Sequence, residues 1–249
     1  MPENESESGM ETQAQAGPWG ERPLHPGGPS DDSASSPPRE PFLTAPWPAL
    51  VIVAVILISY AWQSTLGGGD AAAARLGFAP TDLVDGRWWT VVTVGFVHGG
   101  WTHAIMNAVG ALAFGPPVAR LMGRAPMGVL TFFALYLVCG ALSCLGYAAL
   151  HIDDPSPVVG ASGAISGLMG AAARLMGGGG AILPLRSRPV ISFGLSWVIV
   201  NALLAVVGGA PLMPGARIAW EAHIAGFVAG ALLVGVFSRL SQGFKIAPK

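Results

Sequence analysis

The stretch VVGASGAISGLMG, residues 158–170, decides how this chain is read. It is oily and rich in glycine, yet it carries Ser162 between two small residues. A hydroxyl placed in hydrocarbon costs free energy unless it has a partner or a task. The apolar run that starts at Ser162 and ends near Met176 is shorter than the roughly 17–25 residues of a membrane span. Such a span starts partway through a bilayer and leaves its amino-terminal end, with Ser162, in a cavity.

Working outward, the chain is 52% hydrophobic and only 11% charged, whereas soluble domains carry about a quarter charged residues. Five further apolar segments flank the quoted one, at about 47–64, 97–122, 127–150, 189–208 and 220–238. They predict an all-α polytopic membrane protein, a six-transmembrane-helix bundle over residues 47–240. A polar and aromatic loop joins the first two spans over 65–95. Residues 1–46 read as a disordered acidic, Pro-rich tail, because so polar a segment cannot bury enough apolar surface to offset ordering. Its acidic start is not that of a signal peptide. Residues 241–249 form a short second tail. No basic patch with interleaved aromatics occurs, which argues against nucleic acid.

Orientation follows the Lys/Arg bias of short loops. Arg120, Arg124, Arg174, Arg186, Arg188, Arg239, Lys245 and Lys249 fall on one side, and Arg75, Arg87 and Arg217 on the other. Both termini are therefore expected in the cytoplasm, in a multi-pass protein of a bacterial inner or plasma membrane. The start of the fourth span, with Ser162, and the start of the sixth then open toward the outer face.

Polar residues inside spans are functional candidates by default. His103, Asn107, Ser162 and His223 come from three segments and sit at similar depth. Gly163 and Gly167 form a small-xxx-small step on the fourth span, and Gly226 and Gly230 form another on the sixth. Small residues let helices approach closely in lipid. If these two faces touch, Ser162 and His223 meet. A neutral imidazole can take the proton of a serine hydroxyl and make it a nucleophile. The helix start at Ser162 offers unpaired N–H groups to an oxyanion. His103 and Asn107, spaced i, i+4, can donate to the same charge.

GASG at 160–163, HGGWTHAIMN at 98–107 and AHIAGFVAG at 222–230 resemble the three signatures of the rhomboid intramembrane serine proteases, in the same order and layout. The resemblance covers about residues 47–240. It implies a Ser162–His223 catalytic dyad, with His103 and Asn107 lining the oxyanion hole beside the Ser162 backbone. Gly160 shapes the same site, and His98 belongs to or borders the outer loop above it. Implied substrates are transmembrane segments of membrane proteins, reached within the lipid bilayer and gated by the fifth span. The first outer loop reads RWWT, Arg87 to Thr90, without the family's arginine after the tryptophan. Ser166 stands where some members place an aromatic against the base, so His223 needs another orienting partner, such as a hydrogen bond from its second ring nitrogen.

Other readings are weaker. A catalytically silent rhomboid-like scaffold would lack the serine or the histidine. A small-solute transporter would carry an internal repeat with paired broken helices, and none is visible. Zinc on His98, His103 and His223 lacks an H-E-x-x-H and carboxylate company, so neither metal nor cofactor is expected. Gly177–Gly180 has no lysine in P-loop register and reads as a flexible turn. Cys139 and Cys144 read as small packing residues, His151 as a solvated side chain, and Trp88, Trp89, Trp101 and Trp220 as an interfacial belt.

Overall fold

The computed structural model describes residues 45–66, 69–207 and 218–243. The expected amino-terminal tail therefore lies outside the described residues up to position 44, as do Arg217, Lys245 and Lys249. The helices are α1 (Trp47–Thr65), α2 (Gly69–Leu76), α3 (Thr90–Thr93), α4 (Trp101–Met122), α5 (Pro126–Ala148), α6 (Ser162–Ala173), α7 (Arg188–Val207) and α8 (Trp220–Ser241). Two 3₁₀ turns, Pro80–Leu83 and Val94–Phe96, complete the regular structure. Five helices, α1, α4, α5, α7 and α8, are long and apolar enough to cross a membrane. The protein is an all-α, multi-pass integral membrane protein.

Two segments differ from the sequence reading. The 65–95 stretch is not an open loop but holds α2, α3 and both 3₁₀ turns. The second span starts at Trp101 rather than at 97, because Gly99 and Gly100 precede it and Gly100 is extended, with φ 162°. His98 therefore lies ahead of the helix.

Helix α6 is the hub. Its twelve residues, rising about 1.5 Å each, span roughly 18 Å, well short of a hydrocarbon core of about 30 Å. Every residue from Gly163 to Ala173 is buried, and α4, α5 and α8 all pack on it. Only small side chains permit that crowding. Gly226 of α8 lies against the Gly163 carbonyl, and Gly230 against the Gly167 carbonyl. Gly170 in turn lies against the Phe227 carbonyl of α8. On another side Ser143 and Cys139 of α5 press on Gly163 and Gly167. Lipid tails are as apolar as leucine, so this contact is held by dispersion between closely fitted backbones rather than by expulsion of water. Cys139 and Cys144 are free and buried in these packed layers.

α1 closes the far side through Ala49, Ile52 and Ile56, spaced i, i+3, i+7 on one buried stripe, the pattern of a helix with a single packed face. Its last buried residue is Gln63, whose amide donates to the His98 carbonyl at 2.8 Å and accepts the His98 N–H at 3.0 Å. That paired bond ties the segment ahead of α4 to the end of α1.

The segment between α1 and α4 is anchored by Arg87, ahead of the tryptophans. Its guanidinium meets the buried Asp82 carboxylate at 3.0 Å and donates to the Ala74 and Arg75 carbonyls, also at 3.0 Å. One planar fork thus caps the carboxyl end of α2 and neutralises a buried acid. The second Asp82 oxygen accepts the Ala79 N–H at 3.0 Å. Phe78 and Val158 exchange both backbone hydrogen bonds, at 3.0 and 2.8 Å, and Gly160 N–H donates to the Val94 carbonyl at 3.0 Å. The approach to Ser162 therefore hangs from this braced segment.

Two outcomes follow. Gly230→Ala should destabilise the bundle by about 1–3 kcal/mol, because the new methyl meets backbone that cannot swing aside. Gly235→Ala, on the same helix with nothing within 4 Å of a new methyl, should leave the thermal unfolding midpoint in detergent unchanged or raised. Arg87→Ala should speed amide exchange across residues 74–90 by about tenfold or more, an opening cost of roughly 1.4 kcal/mol, while leaving exchange in α5 and α8 as it was.

Candidate active site

Four elements bring their polar side chains to one end of the bundle. Ser162 opens α6, His103 and Asn107 sit in the first two turns of α4, and His223 lies in the first turn of α8. These three helices start at the same end, so similar offsets from their starts give similar depth. Glycine contact between α6 and α8 does the rest, and Ser162 Oγ stands 2.8 Å from His223 Nε2. Both residues are half-buried.

A fourth contributor was not singled out from the sequence. Asn201, on α7, is fully buried at 0% exposure, whereas Ile199, Val200 and Leu203 around it are exposed. Its Oδ1 lies 2.8 Å from His223 Nδ1, and its Nδ2 donates to the Trp197 carbonyl at 2.9 Å. The Trp197 ring lies 6.0 Å from the imidazole, tilted by 35°. These contacts give His223 the orienting partner that Ser166 does not supply. Ser166 instead donates back to the Ser162 carbonyl at 2.8 Å. The signal was available, since Asn201 is a lone amide in an apolar span, the same feature that drew attention to Asn107.

Opposite the serine, Asn107 is buried and donates to the His103 carbonyl at 2.9 Å. His103 Nδ1 accepts the Gly99 N–H at 3.3 Å. Gly160 has φ +119°, and a Cβ there would sit 2.6 Å from His103 Nε2. Both the backbone angle and the imidazole require glycine at that position. His98 is buried beneath this group, its ring edge-on to His103 at 5.2 Å and to Tyr60 at 6.4 Å. Burial first, and the neighbouring His103 ring second, lower the His98 imidazole to about 3, so it is neutral at physiological pH. It carries no hydrogen bond from Ser162 or His223, and its backbone holds Gln63.

His151 corrects the sequence reading. It is not simply solvated, because its Nε2 lies 3.0 Å from Glu221 Oε1 at the head of α8. Its ring also packs on Tyr147 at 4.5 Å. Among the described residues, Ser162, His223, His103 and Asn107 line one open cavity of about 1030 Å³, together with Trp197 and Glu221. No group of three His, Cys, Asp or Glu side chains there could hold a metal ion.

Comparison with known proteins bears on this arrangement. The Rhomboid domain family matches residues 85–240, which include every residue of the site. The chain is 30% identical over 111 residues to the putative rhomboid protease YdcA of Bacillus subtilis, covering 44% of this chain and 47% of that protein. It is 27% identical over 124 residues to the rhomboid protease GluP of the same organism, covering 49% and 23%. It is 26% identical over 185 residues to RHOMBOID-like protein 5 of Arabidopsis thaliana, covering 74% and 55%. These matches span about half or less of the relatives' lengths. With more than half of its length matched by the family, this chain belongs to the rhomboids.

Proposed function

We propose that the protein is an intramembrane serine endopeptidase that cuts transmembrane segments of other membrane proteins. The observation that carries the reading is the 2.8 Å approach of Ser162 Oγ to His223 Nε2 within a bundle of apolar helices. In this reading α6 is a sixth, shortened span, both termini face the cytoplasm, and the cavity opens to the outer side of the plasma membrane.

The chemistry follows from the groups present. Ser162 Oγ attacks the scissile carbonyl while its proton passes to His223 Nε2. The imidazolium then gives that proton to the leaving amine, and the acyl-enzyme is released by water activated by the same nitrogen. The oxyanion of each tetrahedral intermediate needs donors held in advance. The Ser162 N–H is one, at the open end of α6 where the helix dipole favours negative charge. Asn107 Nδ2 is a second, with one of its two hydrogens already committed to the His103 carbonyl. His103 is a third. A backbone N–H can only donate, so the bond from Gly99 makes His103 Nδ1 the acceptor and leaves the proton on Nε2. The cavity gives water and an unwound peptide access below the membrane surface.

Ser162→Ala should abolish both cleavage of a single-span substrate in detergent and labelling by a fluorophosphonate, with His223→Ala matching it. Asn107→Ala should keep the serine reactive but lower turnover by about a hundredfold. Equal cutting by wild type and Ser162→Ala would remove the reading. Mass spectrometry of membrane proteins released on expression, with Ser162→Ala as control, identifies the substrates.

A further inference from the structure

Asn201 does more than fill space beside His223. The Trp197 carbonyl can only accept, so the Asn201 atom facing it at 2.9 Å is the amide nitrogen. The oxygen of the same amide must then face His223 Nδ1, at 2.8 Å. An amide oxygen can only accept, which places the imidazole proton on Nδ1. Nε2 is left with its lone pair toward Ser162 Oγ, at 2.8 Å. One backbone carbonyl on α7 therefore sets the proton positions along a chain that ends at the serine.

That chain is delivered by a helix with little other hold on the bundle. Phe193, Trp197 and Asn201 recur every four residues and form one stripe on α7. Phe193 stacks on Phe227 of α8 at 6.2 Å and 11°. Trp197 packs on His223, and Asn201 completes the hydrogen bond. Leu195, Val198, Ile199, Leu203 and Val206 around the stripe are exposed.

We propose that Asn201 is a positioning residue that holds His223 in the tautomer able to act as base. This makes the base ready only while the Phe193–Trp197–Asn201 face of α7 is seated. The inference rests on the serine-protease reading and adds to it a third member borne by a different helix. Undocking of α7 would leave Nδ1 without its acceptor and free the ring to turn or to take the other tautomer. The site would then lose its base without any change in Ser162.

The test uses the full chain in detergent, with Asn201→Leu, Asn201→Asp and Ser162→Ala. Nitrogen-15 NMR of labelled histidine reads the His223 tautomer directly, and fluorophosphonate labelling against pH reads serine reactivity. In wild type the proton is expected on Nδ1. In Asn201→Leu that signature should be lost and labelling slowed by about tenfold or more, at an unfolding midpoint close to wild type. Asn201→Asp keeps an acceptor at the same place, so it should restore the tautomer and much of the rate. Its carboxylate favours the protonated ring, so the acid limb of its labelling profile should move to higher pH. That shift reports only that the carboxylate meets the ring; a purely structural asparagine would leave the His223 tautomer of Asn201→Leu unchanged. An unchanged His223 tautomer in Asn201→Leu, or labelling within about twofold of wild type with the same pH profile, overturns the positioning role. A wild type that resists every serine probe removes the protease reading alone, because the tautomer measurement does not depend on catalysis.

Discussion

Contact between the backbones of α6 and α8 is the constraint from which the site follows. Two helices that carried ordinary side chains at their crossing would stand 8–10 Å apart. Glycine at 226 and 230 removes that spacer, and each faces a peptide carbonyl of α6. His223 lies about one turn ahead of the first of these contacts, and Ser162 is the residue next to it. A hydroxyl and an imidazole on separate helices reach bonding distance there because nothing larger than hydrogen holds their backbones apart. The same crowding explains why α6 has the composition it does, with glycine, alanine and serine on every face.

Much of this was legible in the sequence because it depended on local spacing. The i, i+4 glycine steps, the i, i+4 pair His103 and Asn107, and the depth of Ser162 in a short span all follow from helical periodicity. What escaped reading depended on contacts between distant segments. Gln63 and His98 are 35 residues apart, and nothing in either neighbourhood announces that their amide groups meet. Arg87 anchors its segment by a fork onto Ala74, Arg75 and Asp82, so the absence of an arginine after the tryptophans is made good from the other side of the pair. The local sequence around His151 reads as solvated, whereas its partner Glu221 is 70 residues away. Asn201 is a different kind of miss. The rule that flags a lone polar side chain in an apolar span applies to it as it does to Asn107.

The two histidines of the site are held in opposite senses by groups with no freedom of their own. Gly99 N–H fixes His103 as a donor toward the cavity, and the Trp197 carbonyl, through Asn201, fixes His223 as an acceptor toward Ser162. Backbone groups cannot change their hydrogen-bonding character, so they are dependable references for side chains that can. His98, neutral and buried beneath, adds no competing charge to either ring.

The shortness of α6 also has an effect on the membrane itself. A helix of twelve residues exposed to lipid would force the bilayer to thin or the helix to pair, at a cost that grows with each ångström of mismatch. Here α6 is wrapped by α4, α5 and α8 and presents none of Gly163–Ala173 to its surroundings. The outward-facing apolar surface therefore belongs to the longer helices α1, α4, α5, α7 and α8, and the short helix adds no mismatch of its own.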